Sequence, residues 1–198
     1  MERPILFNTE MVRAILDGRK TQTRRAIKNI RAYHMNGTPG NRPPCKPGDV
    51  LYVRETWAWL SAPDCGSFCI GPCKKYKNDY GCFVHKASNP NFTDKWNPSI
   101  HMPREAARLF LKVKDVRIEH LQDCGRGWCC DIEKEGVRTP QDPILYVNDD
   151  KYHDALRAEM EKVWDSTLKP VEIEQFGWAA NPWVWVIEFE NGGCTWSN

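Results

Sequence analysis

Apolar residues recur along this chain in different patterns, and each pattern predicts a different element. Between Asn8 and Gly18 they fall at Met11, Ala14 and Ile15, with Val12 and Leu16 beside them, which is helical spacing. Asn8 or Thr9 supplies the N-cap and Gly18 a natural C′ residue, so a helix of about two and a half turns is expected. A second helical stripe runs through Tyr152, Ala155, Leu156, Met160, Val163 and Trp164, with Asp149 or Asp150 as its cap. Leu109, Leu111 and Val113 alternate with polar neighbours in the stretch ending at Ile118, as a half-buried strand requires. Trp183 to Phe189 is apolar on nearly both faces, which places it at the centre of a sheet.

Other segments are defined by their turns. Lys46-Pro47-Gly48-Asp49 closes a glycine- and proline-rich loop and leads into a strand at Val50–Arg54. Lys20 to Arg25 reads as extended, given Thr21 and Thr23. Asp131 to Gly136 reads as a short helix stopped by its glycine. Residues 61–99 have little periodicity and read as an irregular, cysteine-rich insertion on one side of the core. No internal repeat is visible. Strands separated by loops, with a few helices and no regular βαβ alternation, predict an α+β domain built on a small mixed β-barrel or curved sheet. At 198 residues, one domain spanning 1–198 is expected.

Composition narrows the partners. The formal net charge is only +2, so affinity for nucleic acid must come from a local patch. The charged N-terminus and the lack of any apolar run of about 18 residues predict a cytosolic protein with no membrane partner. Nine cysteines in that compartment are expected to be reduced, which points to metal binding or plain burial. Cys65, Cys69, Cys73 and Cys82, with His85 nearby, could hold a structural zinc, and Cys124, Cys129 and Cys130 could complete such a site. Their spacing is loose, with no Cys-x-x-Cys pair among them, so zinc and simple burial both stay open. No other cofactor is called for. Of the nine tryptophans, Trp164, Trp183 and Trp185 read as core. Trp57 and Trp59, following Arg54 and Glu55, are candidates to line a pocket where a base stacks, and His101 reads as either a substrate contact or a satisfied structural histidine.

The densest chemistry lies at Gly18 to Arg31. Arg19, Lys20, Arg24, Arg25, Lys28 and Arg31 suit phosphate binding, or form a solvated basic face. Lys20 with Thr23 adds a second reading. An amine whose proton affinity is lowered by neighbouring cations and burial can deprotonate a hydroxyl, and a threonine so activated can attack a carbonyl. In an undistorted strand, positions 20 and 23 point to opposite faces, so this dyad requires a turn or bulge between them.

The order of these motifs resembles the ASCH domain. The matching elements are Gly18, Lys20, Thr21, Thr23 and Arg25 behind a helix, Pro47-Gly48-Asp49 before a strand, Glu135-Gly136, and the closing Val186-Ile187-Glu188-Phe189. Arg54-Glu55-Thr56-Trp57, Pro98 to Arg104 and Asn181 to Trp185 are similar to a longer subgroup common in phages and prophages. The resemblance covers most of the chain outside roughly residues 60–95 and 124–130. It implies a PUA-like mixed β-barrel with flanking helices and an association with RNA. Small bacterial members are N4-acetylcytidine amidohydrolases, whose catalytic lysine, threonine and glutamate fall here on Lys20, Thr23 and Glu135. The implied chemistry has Lys20 as base, Thr23 as nucleophile and Glu135 as the acid that protonates the leaving amine. Arg25 would hold Glu135, bind a phosphate or stabilise the oxyanion, and Arg19 and Arg24 would face phosphates. A non-catalytic RNA or nucleotide reader and an ASCH-type ribonuclease are the alternative functions.

Overall fold

A computed structural model of the chain describes residues 1–30, 34, 38–65, 73–125, 131–138 and 150–194. In chain order its elements are β1 (Glu2–Leu6), α1 (Thr9–Leu16), β2 (Gln22–Ala26), β3 (Val50–Arg54), β4 (Trp57–Ser61) and α2 (Ala62–Cys65). They continue with β5 (Lys74–Tyr76), β6 (Asp79–His85), β7 (Leu109–His120), α3 (Asp131–Lys134), α4 (Asp150–Ser166), α5 (Ile173–Phe176) and β8 (Trp183–Cys194). The fold is α+β. Among the described residues no helix is long and apolar enough to cross a membrane.

The strands form two open sheets, one of order β1-β3-β7-β8-β2 and one of order β4-β6-β5. The expected closed barrel is absent among the described residues, because β1 and β2 end the five-strand order. Pro4 has no amide hydrogen to offer a further neighbour, so β1 is suited to an edge. The expected irregular insertion at 61–99 is corrected too: Ser61 ends β4, and β5 and β6 make an antiparallel hairpin inside it. The period of two is hidden there because Trp57, Trp59, Tyr76 and Phe83 alternate with small and charged residues instead of a regular apolar set.

The chain divides into two compact units. Unit one comprises Met1–Leu16, Val50–Lys112 and Asn191–Asn198. In it β1 lies parallel to β3, and β3 antiparallel to the first residues of β7. Helix α1 starts where the Asn8 side chain accepts the Met11 N–H at 2.8 Å, and it buries Val12, Ala14 and Ile15. In the second sheet Trp57 packs with Met102 and Ala106, and Trp59, Tyr76 and Phe83 close over them with ring centroids 4.8–5.2 Å apart. Gly81 is required in β6: a Cβ there would lie 1.8 Å from the Leu60 carbonyl oxygen.

Unit two comprises Asp17–Asp49 and Val113–Glu190. Here β2 runs antiparallel to β8, pairing Gln22 with Glu188, Thr23 with Ile187, Arg24 with Val186 and Arg25 with Trp185. Leu156, Met160 and Trp164 of α4 pack with Val184 and Val186, each such side chain contributing about 1.5–3 kcal/mol by burial. The alternation on β8 buries Val184 and Val186 and leaves Trp183 and Trp185 half-buried, so these two tryptophans are not core as expected. Trp183 stacks on His120 with centroids 3.7 Å apart. The Lys46–Asp49 turn forms as expected, with Gly48 at φ +90° and the Asp49 carboxylate accepting the Lys46 N–H at 3.1 Å.

Candidate functional site

The site begins with two glycines. Gly18, at φ +74°, ends the α1 segment and releases the chain into extended backbone. Gly136, at φ +83°, ends α3 and donates to the Glu133 carbonyl at 2.8 Å. Freed from the helix, Glu135 pairs in antiparallel fashion with Lys20, and the Thr21 N–H bonds to the Lys134 carbonyl at 2.9 Å. The two residues most distant in sequence are thus fixed by a backbone bridge before their side chains are considered.

Their side chains then meet. Lys20 Nζ donates to Glu135 Oε2 at 2.9 Å and to the Glu135 carbonyl at 2.8 Å, and both residues are buried. Burial lowers the proton affinity of Lys20 below that of an ordinary lysine. Glu135 opposes the shift, and the charges of Arg25 and Arg24 add to it. The second Glu135 oxygen accepts from Arg24 Nη1 at 3.0 Å.

Arg24 extends the cluster. Its Nη2 reaches Glu119 at 3.3 Å and Asp131 at 3.7 Å. The Gln22 amide, with its oxygen turned toward Arg24, accepts at 2.6 Å and 3.1 Å. Arg117 binds Glu119, Glu188 at 2.5 Å, Asp115 at 3.5 Å and Asp131 at 3.6 Å. Three cations therefore sit among five carboxylates. Burial weakens the hold of Arg117 on its proton, but the hydrogen bonds and charges of Glu119 and Glu188 outweigh it and hold that proton more firmly than usual. Cys124 lies in the core beside them, and burial pushes its thiol up to about 11, which removes it as a nucleophile at neutral pH.

The structure treats the expected site residues unequally. Lys20 and Glu135 converge. Thr23 is buried, but the β2 ladder places it on the opposite face from Arg24 and on the same face as half-buried Arg25. Burial lowers the proton affinity of Arg25, and the Glu135 charge partly restores it, so Arg25 lies within the field of the cluster. Arg24 is not a phosphate-facing cation as expected: its side chain is fully enclosed and committed to carboxylates. Arg19 donates to Asp17 at 3.0 Å and to the Gly136 carbonyl at 2.8 Å, bracing the turn that presents Glu135.

Four expected substrate contacts lie in unit one. Glu55 is buried and receives Arg108 Nε at 2.9 Å and Nη2 at 3.0 Å, while Arg108 Nη1 donates to Ser88 at 2.7 Å. Trp57 belongs to the aromatic core and offers no open face. Arg54 donates to the Ile100 carbonyl, and His101 is exposed in the short helical turn Ser99–His101. Glu55 and Trp57 are therefore corrected from substrate contacts to structural roles, because their polar and apolar surfaces are already covered.

Of the zinc candidates, Cys69, Cys129 and Cys130 lie outside the described residues, Cys65 ends α2, Cys73 precedes β5 and Cys82 lies in β6. No cluster of three or more metal-binding side chains occurs among the described residues. Sequence reasoning missed Glu119, Asp131, Arg117 and Glu188. The signal was present in part: Gln22 and Arg24 share a face, and Arg117 and Glu119 share another, by the two-residue period of a strand. Comparison with protein-family models, curated proteins and solved structures gave no match to this chain.

Proposed function

We propose that this chain is an ASCH-type amidohydrolase acting in the cytoplasm on an acylated nucleobase such as N4-acetylcytidine, free or within RNA. The PUA-like relationship rests on the order of the motifs. The observation that carries the catalytic reading is the buried Lys20–Glu135 contact, which joins two residues that the motif order had singled out in the two separate segments of unit two.

In the resting pair the ammonium of Lys20 faces the carboxylate of Glu135. Transfer of one proton across this 2.9 Å contact yields a neutral amine and a carboxylic acid, the two forms amide cleavage needs. Burial, with the charges of Arg25 and Arg24 beside it, makes Lys20 give up its proton more readily than an ordinary lysine. The next step requires the Thr23 hydroxyl, on the face of β2 opposite Arg24, to reach Lys20 across the extended stretch at Thr21; neutral Lys20 then takes its proton as the oxygen attacks the acyl carbonyl. Collapse of the tetrahedral intermediate breaks the C–N bond, and Glu135 gives its proton to the departing exocyclic nitrogen. Water then cleaves the Thr23 ester, releasing the carboxylic acid. Arg25, on the Thr23 face of β2, stabilises the oxyanion.

A second reading has its own support. An ion pair closed on both sides, with Arg24 on the other oxygen, is also how a non-catalytic nucleotide reader would hold its scaffold. The ribonuclease alternative has no such support. Release of acetate from N4-acetylcytidine by the wild type, lost in Thr23→Ala with ligand affinity retained, supports the hydrolase. No turnover in either form, with binding intact, supports the reader. Activity unchanged in both Lys20→Ala and Thr23→Ala would end the proposed mechanism.

A further inference from the structure

The β5–β6 hairpin of unit one takes no part in the charged cluster. Lys74, Lys75 and Lys77 fall within four residues and are all exposed, and none of them makes an ion pair among the described residues. The hairpin's acid, Asp79, is held by neutral donors: Trp59 Nε1 at 3.0 Å, Ser61 Oγ at 2.7 Å and the Tyr80 N–H at 2.8 Å. The ladder pairs Tyr76 with Asp79 on one face and Lys75 with Tyr80 on the other. On the first face Tyr76 is closed in by Trp57, Trp59 and Phe83. On the second, Tyr80 is 56% exposed with a lysine directly opposite it.

Lys77 adds a cation at the turn, with its Nζ 5.4 Å from the Tyr76 ring centroid. Its φ of 55° lies in the left-handed region, where glycine or asparagine would be less strained. The two-residue turn between Tyr76 and Asp79 requires positive φ at this position whichever residue fills it. We propose that this hairpin is a docking surface for single-stranded nucleic acid whose backbone follows the open edge of β5, with Lys75 on the Tyr80 face and Lys74 and Lys77 on the Tyr76 side reaching its phosphates and an unpaired base stacked on Tyr80. A chain with a net charge of only +2 attracts a polyanion through such a local cluster, and an exposed ring beside a lysine selects planar bases over other polyanions. The surface is independent of the hydrolase reading.

Fluorescence anisotropy with labelled RNA and DNA strands of about 12 nucleotides tests it on the whole chain. Charge reversal at all three lysines (Lys74→Glu, Lys75→Glu, Lys77→Glu) is expected to weaken binding at least tenfold and to lower the salt slope by about 2. Tyr80→Ala is expected to weaken single-strand binding about fivefold with the slope unchanged, and Lys162→Ala, at an exposed lysine on α4, to change neither. The RNA and DNA arms show whether the 2′-hydroxyl contributes. Lysines on edge strand β5 could instead only block edge-to-edge pairing, a task that glutamates perform as well. Undiminished binding by the triple variant, with an unchanged circular dichroism spectrum, would therefore overturn the proposal. So would equal affinity for heparin with a silent Tyr80→Ala.

Discussion

Among the described residues, the buried charge groups of units one and two are built differently. In unit one, Glu55 and Arg108 form a bidentate pair, and Ser88 takes a further guanidinium proton. Both carboxylate oxygens are satisfied by one partner. In unit two, Lys20 and Arg24 divide the oxygens of Glu135 between them, and Arg24 and Arg117 share Glu119 and Asp131. A matched pair has one low-energy proton arrangement and serves the fold. A shared, unequal cluster has several, and a lysine inside it is held where its proton is easily lost.

The largest expected effect separates the groups by function. Lys20→Ala should reduce acetate release from N4-acetylcytidine about a hundred- to ten-thousand-fold, measured under saturating substrate. Equal loss in a folded Ser88→Ala variant would erase the distinction. Stability should show the converse. Glu55→Ala leaves the Arg108 guanidinium buried without its partner and should cost about 3–5 kcal/mol in chemical denaturation, whereas replacing both residues by apolar ones should recover much of that loss.

Acidity gives a finer test. The mechanism needs the one proton that Lys20 and Glu135 share, so wild-type turnover should fall at high pH where that proton is lost. Glu135 favours the charged lysine, so in Glu135→Gln whatever activity survives should instead rise with pH, with a midpoint below the ordinary lysine value of 10.5. A midpoint above that value would contradict the arrangement of charges. In unit one, burial lowers the proton affinity of His85 below its ordinary value of 6.5, with its Nε2 2.8 Å from the Ala106 carbonyl. The unfolded chain then binds the extra proton first, so stability should fall as pH drops below about 6.5. His85→Gln should flatten that slope in thermal melts. The smallest effect lies at the hairpin: Lys77→Gly should stabilise unit one by about 0.5–1 kcal/mol through relief of its left-handed backbone.

Local rules made much of this fold legible. The Asn8 cap, the Gly18 and Gly136 stops, the Lys46–Asp49 turn and the α4 stripe all form as read, since each depends on residues within a turn or two of one another. The β5–β6 hairpin escaped notice because its pattern is aromatic on one face and mixed on the other, and its edge needed Gly81 packed against Leu60.

Local rules alone put Lys20 and Glu135 next to glycines that stop a helical turn, and the strand period alone pairs Gln22 with Arg24 on one face and Thr23 with Arg25 on the other. Long-range packing chose the partners: carboxylates enclose Arg24, and Glu55 belongs to Arg108. The reason is physical. A residue's own backbone sets the direction of its side chain, but the partner that neutralises a buried charge comes from elsewhere in the chain: Glu135 lies 115 positions from Lys20 and Arg108 lies 53 from Glu55.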